Sequence, residues 1–417
     1  MKNKEEKNFL SINLSDRSME IVEEIGQDLV ADDRAIIFLN GPMTKSNLAC
    51  GGRFNILAKS PKNDRISISN SGGLWGRRLA YAGFDGILIK GRSQSPLRIV
   101  INGKRQPAKI ELVDGSDLWA SDNLDINSKL MDLYGKDSSS IYIGRAGEKE
   151  LLISCLINDG KRASGRDSFG AIFGHKKLKA ITVISNNEAG FDIASMKDYL
   201  QKSKSSVDNI EILLEIIDSL GGPISDKTFE QRAKIAAKQG IKSSCYPCPI
   251  TCPRAFAKQT DPDSHKYFWT FKDKDSKNYD KKANVLANFL GVDSISFINY
   301  INWLMDHKKA SEDLSWDNPE SILNFMKELV DNNDQIKKLN GYILDLTNDK
   351  LKNKQLIKSN SQKVKENKDL AKLIDLLGLC IFTSKKLSPN DYALLYRAVS
   401  GKDLSENVFF QVKWASK

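Results

Sequence analysis

The sequence lacks long apolar runs, and it has few histidines. None of its apolar runs approaches the roughly 18 residues that a membrane helix needs, and the opening MKNKEEKNFL lacks the apolar stretch of a secretion signal. The histidines are His175, His265 and His307, and their contexts favour surface or core positions over a role as catalytic base. We therefore expect a cytoplasmic protein without a membrane partner.

Two phosphate-binding signatures are also missing. No G-x4-G-K-[ST] pattern occurs, which excludes a Walker loop, and no stretch matches the glycine fingerprint of a dinucleotide-binding fold. The net charge of +10 comes from lysines spread along the 417 residues, so we expect a lysine-rich surface and no nucleic-acid partner. With 40% hydrophobic and 28% charged residues, the chain can form two or three folded domains.

Four cysteines form the most informative pattern: Cys245, Cys248, Cys252 and, much further along, Cys380. The first three follow a C-x2-C-x3-C spacing in SSCYPCPITCPR, which suits one face of a cubane iron–sulfur cluster, and a distant fourth thiolate can close the remaining corner. In a reducing compartment, clustered thiols are more often ligands than disulfides. Cys50 and Cys155 stand apart from this set and are typical of small packed side chains.

The chain changes character near residue 190. Before it, short β-branched runs alternate with glycine and polar turn residues, which predicts strands of antiparallel or mixed sheets. These runs are Ala35–Leu39, Arg53–Lys59, Arg65–Asn70, Gly86–Lys90, Leu97–Asn102, Ser140–Gly144, Leu151–Ile157 and Ala180–Ser185. After it, apolar residues recur three and four positions apart, which predicts helices. The helical stretches are Met196–Leu220, Lys281–Leu304, Pro319–Val330 and Leu370–Leu379.

These patterns predict an α+β protein in two parts. We place a β-rich domain at residues 1–186 and a mostly helical region at residues 187–417, with a polar hinge at Ser185–Gly190 between them. The stretch Leu339–Leu370 is rich in Asn, Lys and Asp with weak periodicity, which is typical of a mobile surface segment. We detect no internal repeat.

Two glycine-rich stretches in the β-rich part have the composition of anion sites. The first is Ser69–Ala80, where Gly72 and Gly73 follow a predicted strand and precede a predicted helix, and the two arginines of its GRR run add positive charge. The second is Asn158–Ile181, in which basic residues alternate with four glycines, among them Gly165. Taken singly, each stretch is more often an ordinary turn.

Together with the cysteines, these stretches resemble the aldehyde ferredoxin oxidoreductase family, the tungsten and molybdenum bis-pterin enzymes. The matching segments occur in family order and span most of the chain. They are GPMT at Gly41, GGRFNILAKSP from Gly51, SNSGGLWG from Ser69, YAGFDGILIKG from Tyr81, NDGKRASGRDSFGAIFGHKKLKAI from Asn158, CYPCPITC from Cys245 and DLLGLCIF from Asp375.

By that resemblance, residues 34–186 form the base on which two pterins lie. Arg53 corresponds to the family's arginine between pterin and cluster. The backbone carbonyls of Asn70 and Ala163, with Arg162 beside the latter, correspond to those that hold Mg²⁺ between the pterin phosphates. The implied cofactor-binding residues of the base are Arg53, Asn70, Gly72, Gly73, Arg162, Ala163 and Gly165.

The resemblance also assigns two pterin motifs in the helical region, and it makes the four cysteines the cluster ligands. The D-x-x-G-L-C motif is intact as Asp375, Gly378, Leu379 and Cys380. A buried carboxylate suits this role because it can accept paired hydrogen bonds from amino and ring N–H groups. The companion motif keeps Asp293 but has Asn288 in place of its first aspartate, so we expect weaker or altered pterin binding there.

Several departures from the family pattern leave the catalytic residues unknown. Phe268 follows Tyr267 where the family has a glutamate near the metal, and the basic-glycine-histidine loop beside the substrate has no equivalent. Lys282 and Val285 stand at the positions of a metal-binding Glu-x-x-His that bridges some family dimers, so the oligomeric state is open. The chain also ends at Lys417, soon after the fourth cysteine, which makes it a short and divergent member.

The resemblance implies an anaerobic oxidoreductase that converts an aldehyde to a carboxylic acid. Electrons would pass from a tungsten or molybdenum bis-pterin through a 4Fe-4S cluster to ferredoxin. The alternative is a divergent relative that binds the cluster, and part of the pterin, without aldehyde oxidation. A structural zinc site in a basic nucleic-acid-binding protein is a third hypothesis, which the single distant cysteine disfavours.

Overall fold

The computed structural model describes residues 7–25, 34–45, 50–120, 126–160, 162–165, 167–186, 276–354, 362–381, 383 and 387–400. Several sequence-based predictions fall outside these residues. They are Cys245, Cys248, Cys252, His265, Phe268 and the predicted helix Met196–Leu220.

Six strands form the first sheet, in the order β2-β1-β6-β3-β4-β5. They are β1 Phe9–Asn13, β2 Met19–Val22, β3 Ile36–Asn40, β4 Phe54–Lys59, β5 Ile66–Ser71 and β6 Gly86–Lys90. A 3-10 helix, Pro42–Lys45, follows β3, and helix α1, Trp75–Tyr81, lies between β5 and β6. Alternate residues of β4 point to opposite faces, and both faces are buried: Phe54 joins the main core and Leu57 a smaller cluster.

Six further strands form the second sheet, in the order β11-β10-β9-β12-β7-β8. They are β7 Leu97–Asn102, β8 Lys109–Asp114, β9 Ser138–Tyr142, β10 Leu156–Asn158, β11 Arg162–Ser164 and β12 Leu178–Ile184. Three helices connect them: α2 Ile126–Tyr134, α3 Arg145–Glu148 and α4 Phe169–Lys176.

The two sheets share one topology. The first strand of each, β1 or β7, pairs antiparallel with the next strand and parallel with the last one. The remaining neighbours in both sheets are antiparallel, and a short helix precedes the last strand. Residues 9–90 and 97–184 are therefore two structural repeats, which we call the first and second repeat. No repeat was detected in the sequence, and the repeat is one of strand topology.

A shared core joins the two repeats. The rings of Phe38, Phe54 and Trp75 from the first repeat lie against one another, with centroid distances of 5.2 Å and 4.9 Å from Trp75 to Phe38 and Phe54. Phe173 of the second repeat packs 6.0 Å from Phe38. The indole Nε1–H of Trp75 donates to the carbonyl oxygen of Ile181 at 3.1 Å, so its one polar group is satisfied inside the core.

Six helices follow in the described residues: α5 Ser276–Leu290, α6 Ser294–Asp306, α7 Pro319–Asp331, α8 Asn333–Lys354, α9 Gln362–Leu377 and α10 Pro389–Ser400. The apolar faces of α5 to α8 share a second core with Leu151 and Ile153 of the second repeat. At the start of α7, the side chain of Asn318 accepts the N–H of Ser321, and Pro319 is pre-set for the first turn.

The predicted α+β class is confirmed, since two mixed sheets precede a mostly helical region. Three local predictions need correction. The run Leu151–Ile157 is a strand only from Leu156, and Lys281–Leu304 divides into two helices at the turn that contains Gly291. The stretch from Leu339 was expected to be mobile, yet it begins inside α8, where Leu339 is buried. The domain division at residue 186 stays a prediction.

Candidate functional site

The D-x-x-G-L-C motif forms the turn that ends α9. Gly378 adopts φ 78°, a left-handed conformation that favours glycine. Its N–H donates to the carbonyl oxygen of Asp375 at 3.0 Å, and the N–H of Leu379 donates to that of Ile374 at 3.1 Å. These bonds close the helix in a Schellman-type cap, so the glycine of the motif is required by the backbone.

This turn docks on the head of β4. The N–H of Arg53 donates to the carbonyl oxygen of Gly378 at 3.1 Å, and the side-chain amide of Asn55 donates to that of Asp375 at 2.8 Å. A Cβ on Gly41 would lie 2.3 Å from the nitrogen of Gly378, so the GPMT segment also requires glycine there. Three segments that are distant in the sequence therefore meet at one point.

The side chain of Arg53 is fixed by the neighbouring strand. Its Nε–H donates to the side-chain oxygen of Asn70, and a terminal N–H donates to the backbone oxygen of Asn70 at 3.3 Å. The amide of Asn70 in turn donates to the side-chain oxygen of Asn55 at 3.1 Å. The guanidinium is thus held at the end of β5, immediately before Gly72.

Among the residues around the first docked turn, the carboxylate of Asp375 is available to accept hydrogen bonds from a ligand. It makes no hydrogen bond to another residue in the described part of the chain. Burial raises its pKa from the usual 3.8 to about 6, and the positive charge of Arg53 opposes that rise. A half-buried carboxylate beside an arginine can accept paired hydrogen bonds from a ligand.

The second motif docks on the second repeat in the same way. Gly291, at φ 72°, ends α5, and its carbonyl oxygen accepts the N–H of Cys155 at 2.8 Å. Cys155 directly precedes β10, as Arg53 directly precedes β4, so the two positions are equivalent in the repeats. A Cβ on Gly144 would lie 2.5 Å from the carbonyl of Leu290, which matches the contact of Gly41 with the other turn.

Each docked turn and its surroundings form one half-site. We define the first half-site as Gly41, Arg53, Gly72, Gly73, Asp375, Gly378, Leu379 and Cys380. We define the second half-site as Gly144, Cys155, Gly165, Asn288, Gly291 and Asp293.

Asp293 has a structural task as well as its predicted one. One of its carboxylate oxygens accepts the N–H of Ser296 at 3.2 Å and the Oγ–H of Ser296 at 2.6 Å, which caps α6. The other oxygen faces Gly165, where a Cβ would lie 2.6 Å away. The structure therefore brings together Asp293 and Gly165, two of the predicted cofactor-binding residues.

The glycine loop of the first repeat lies against the second repeat. The side-chain amide of Asn158 donates to the carbonyl oxygen of Gly72, and Gly73 has φ 114° beside it. The side-chain oxygen of Asn158 and the Oγ of Ser164 are buried without a hydrogen-bond partner in the described residues. Buried polar atoms are normally paired, so these orphan atoms indicate a polar ligand nearby.

The two predicted carbonyl positions lie on neighbouring edge strands. Asn70 is in β5 and Ala163 in β11, and these outer strands of the two sheets pack against each other. Ala163 is exposed and Arg162 is half-buried. The repeats thus place Asn70 and Ala163 at matching positions across the boundary between the sheets.

The arginine pair of the first glycine stretch does not form an anion site. The guanidinium of Arg78 donates to the carbonyl oxygens of Ser185 and Lys136 at 2.5 Å and 3.3 Å. Arg77 is buried with its guanidinium 4.9 Å from the ring of Tyr81. Both side chains join α1 to its surroundings, and a contribution of their charge to anion binding stays a prediction.

Cys380 follows directly on the first docked turn. It is half-buried, its N–H donates to the carbonyl oxygen of Cys50 at 3.1 Å, and its own carbonyl oxygen accepts the Oγ–H of Thr383 at 2.7 Å. Cys50 is buried, as expected, but it contacts the cluster-ligand segment rather than standing apart from it. Within the described ranges, no group of three or more His, Cys, Asp or Glu side chains could hold a metal ion.

The described histidines lie in the contexts expected from the sequence. His175 is 3.5 Å from the carboxylate of Glu150, and burial is the main reason that its pKa is lowered. His307 is exposed, with Nδ1 3.0 Å from the carbonyl oxygen of Trp303. Sequence reasoning missed Thr44, whose Oγ–H donates to the carbonyl oxygen of Arg53 at 2.8 Å, because only the fold brings this hydroxyl to the start of β4.

Comparison with known proteins gives the same picture. A family model described as the aldehyde ferredoxin oxidoreductase N-terminal domain matches residues 10–185. A tungsten-containing aldehyde ferredoxin oxidoreductase of Pyrococcus furiosus is 25% identical over an alignment of 482 positions, which covers 92% of this chain and 79% of that protein. A protein of the same description from Thermococcus kodakarensis is 28% identical over 297 residues, or 59% of this chain and 48% of that protein. The match therefore spans about half the length of the Thermococcus relative.

A solved structure shares the fold. It is described as the active site complex BamBC of benzoyl coenzyme A reductase with 1,5-dienoyl-CoA, and the TM-score is 0.59 at 17% identity. The likeness covers 82% of this chain and 62% of the other. At this identity it shows the fold alone. None of the helices in the described part of the chain combines the length and the apolar character that a membrane span requires.

Proposed function

The chain belongs to the aldehyde ferredoxin oxidoreductase family, and on that premise we propose that it is an oxidoreductase of the same type. The proposed reaction converts a small aldehyde and water to a carboxylic acid, two protons and two electrons. The electrons leave through a 4Fe-4S cluster to ferredoxin in the cytoplasm. The proposed cofactors are this cluster, a tungsten or molybdenum bis-pterin, and Mg²⁺ between the pterin phosphates.

One observation carries the proposal: the turn after α9 docks on the head of β4. This docking brings the carboxylate of Asp375, the guanidinium of Arg53 and the thiol of Cys380 to one end of the first sheet. Asp375 and Cys380 belong to the same turn, so one rigid element would hold both a pterin and the cluster. The structure thus supports the order pterin, Arg53, cluster that the family resemblance implies.

The residues present fit a pterin. A pterin edge carries amino and ring N–H donors, and the first half-site offers the half-buried carboxylate of Asp375 as an acceptor. The buried oxygens of Asn158 and Ser164 are further acceptors without partners in the described residues. Gly72 and Gly73 are buried at the end of β5, and their backbone N–H groups would meet an anionic group of the pterin there.

When bound, the bis-pterin metal supplies the two-electron oxidation, and the cluster passes the electrons on one at a time. The described residues would bind and orient these groups. Asp375 would fix the pterin edge by paired hydrogen bonds, and Arg53, held by Asn70, would keep a positive charge between pterin and cluster. The carbonyls of Asn70 and Ala163 would bind Mg²⁺ as hard oxygen ligands across the two edge strands.

Metal and sulfide analysis of anaerobically purified protein tests the proposal. We expect tungsten or molybdenum, two pterins and about four irons per chain, the number in a single cubane. We also expect aldehyde-dependent reduction of a redox dye or ferredoxin. Zinc alone would contradict the proposal and favour a structural metal site, because zinc has no redox chemistry.

Asn288 and Asp293 favour a second candidate function, a cluster-binding relative without aldehyde oxidation. Asn288 carries no charge where the family has an aspartate, and Asp293 already caps α6. Iron and sulfide without tungsten, molybdenum or pterin would support this alternative. Protein that contains all the cofactors yet reduces no dye with any small aldehyde would support it as well.

A further inference from the structure

Each hairpin tip of the two repeats lies against the glycine loop of the other repeat. The tip after β10 carries Asn158 and Asp159, and the side-chain amide of Asn158 donates to the carbonyl oxygen of Gly72. The tip after β4 begins at Ser60, whose Oγ–H donates to the carbonyl oxygen of Asp167 at 3.3 Å. Each half-site is therefore completed by the hairpin of the opposite repeat.

Lys62 lies on the tip that reaches the second half-site. Its backbone N–H donates to the Oγ of Ser60 at 3.3 Å, which fixes the tip beside the loop that contains Gly165 and Asp167. The carboxylates of Asp167 and Asp293 both act electrostatically on the ammonium of Lys62. One lysine of the first repeat therefore interacts electrostatically with an acid from the glycine loop and an acid from the docked turn.

Burial makes this lysine an unusual surface feature. Lys62 is half-buried, and burial lowers its pKa while Asp167 and Asp293 raise it. A buried ammonium is costly unless acids compensate it, so the chain maintains the charge at this place at some cost in stability. Lys59 on the same hairpin, with 36% of its side chain exposed, pairs instead with Asp64 of its own hairpin at 3.7 Å.

The two half-sites differ in where their positive charge comes from. In the first half-site the head of the strand supplies it, through Arg53. The equivalent strand position in the second half-site is Cys155, which is neutral and fully buried. The hairpin tips carry charges of opposite sign: the first half-site receives Asp159, a half-buried acid, and the second receives Lys62.

We propose that Lys62 is the cation of the second half-site, where it positions Asp293 and the Gly165 loop and faces the anionic part of a second pterin. This inference rests on the proposed function for the identity of the ligand. In the first half-site the positive charge, Arg53, directly precedes the strand. In the second half-site it lies on the hairpin tip, so Lys62 has the role there that Arg53 has in the first. Asn288 is uncharged at the position where the family motif has an aspartate. Asp293 and Asp167 are therefore the acids whose charge Lys62 balances.

Pterin content of purified holoprotein tests this role. We expect Lys62→Met to lower the pterin content to about half of the wild-type value, because one of two half-sites loses its cation. Iron should stay unchanged, since the cluster ligand Cys380 belongs to the other half-site. Lys62→Arg should restore the pterin content, and Lys59→Met, on the same hairpin, should leave it unchanged. A full pterin content in Lys62→Met would overturn the inference.

A second measurement separates failure of this inference from failure of the proposed function. Wild-type protein without pterin would refute the proposed function and the pterin role of Lys62 together. The positioning role is then decided in the same protein by the melting temperatures of Lys62→Met, Asp167→Asn and the double variant. We expect the double variant to lose less than the sum of the single losses, because both remove one interaction. Additive losses would overturn the positioning role.

Discussion

The backbone N–H of Arg53 donates to the carbonyl oxygen of Gly378 at 3.1 Å, and this bond joins the first sheet to the turn that ends α9. The bond between Cys155 and Gly291, at 2.8 Å, repeats it in the second half-site. Because both bonds involve only backbone atoms, the position of each turn does not depend on the side chain of the residue before the strand. The chain can therefore have arginine at one position and cysteine at the other without changing the architecture.

Replacing Gly378 with alanine should destabilise the protein by about 2 to 5 kcal/mol. The backbone at Gly378 has φ 78°, and an added Cβ would lie 2.6 Å from the Oγ1 of Thr44. Gly83→Ala is a matched control, because Gly83 has φ 97° with no atom within 4 Å of an added Cβ. Urea denaturation of both variants measures the difference. Equal losses would mean that the turn does not pack as closely as described.

The carboxylate of Asp375 should make stability depend on pH. Its pKa rises to about 6 in the folded protein, so between pH 4 and 6 the folded state binds more protons than the unfolded state. Stability contributed by the protonated form is therefore lost as the pH rises, by up to about 3 kcal/mol at pH 7. Asp375→Asn should remove this component, so the variant should gain stability relative to cofactor-free wild type as the pH rises. A constant difference in denaturation midpoint from pH 4 to 7 would contradict the assignment.

Cys380→Ser should remove or destabilise the proposed iron–sulfur cluster. A serine oxygen is a poor substitute for a thiolate as a cluster ligand. Visible absorbance and iron content of anaerobically purified protein measure the loss. Cys155→Ala serves as the control, since Cys155 is fully buried in the second repeat and should leave the chromophore intact. A full brown chromophore in Cys380→Ser would identify another group as the fourth ligand.

The hydroxyl of Tyr392 should stabilise the segment that carries Cys380. Its Oη lies 2.7 Å from the Oγ1 of Thr383, whose one hydroxyl proton is donated to the carbonyl oxygen of Cys380. Tyr392 must therefore donate to Thr383, and burial helps to keep the phenol protonated by raising its pKa to about 12. Tyr392→Phe should cost about 1 to 2 kcal/mol, measured by thermal denaturation.

Thr383 variants test whether the hydroxyls of Tyr392 and Thr383 stabilise the protein as one hydrogen-bonded chain, with thermal denaturation as the measurement. Thr383→Ser keeps the hydroxyl and should lose little stability, whereas Thr383→Val leaves the carbonyl oxygen of Cys380 without its side-chain donor. Combining Thr383→Val with Tyr392→Phe should cost less than the sum of the single losses. Strict additivity would show that the two hydroxyls act independently.

The sequence predicted most of the strands with strong apolar content and missed three of the four edge strands, β2, β8 and β11. The runs at Gly86–Lys90 and Leu97–Asn102 match β6 and β7 because both are nearly continuous apolar segments. The edge strand Lys109–Asp114 escaped prediction because its side chains are partly exposed and charged. The same composition hid α8, in which burial is confined to a narrow stripe that includes Leu339.

The site was partly predictable for a similar reason. The family resemblance identified Asp375 and Gly378 through the D-x-x-G-L-C motif, and the glycine of that motif suits the helix-ending turn that the structure shows. The repeat could not be detected, since strand pairing and backbone bonds preserve it while side chains differ, as at Arg53 and Cys155. Lys62 was missed because its partners, Asp167 and Asp293, belong to segments that only the fold brings together.

The reciprocal placement of the two hairpin tips has a consequence for how such a fold can arise. A polypeptide with one repeat would lack the hairpin tip that completes its half-site. Its own hairpin tip would have no glycine loop of a second repeat to contact. Two identical copies related by a twofold axis would satisfy both needs at once. Gene fusion of such a self-associating ancestor would then free each half to diverge, leaving an acid under one glycine loop and a base under the other.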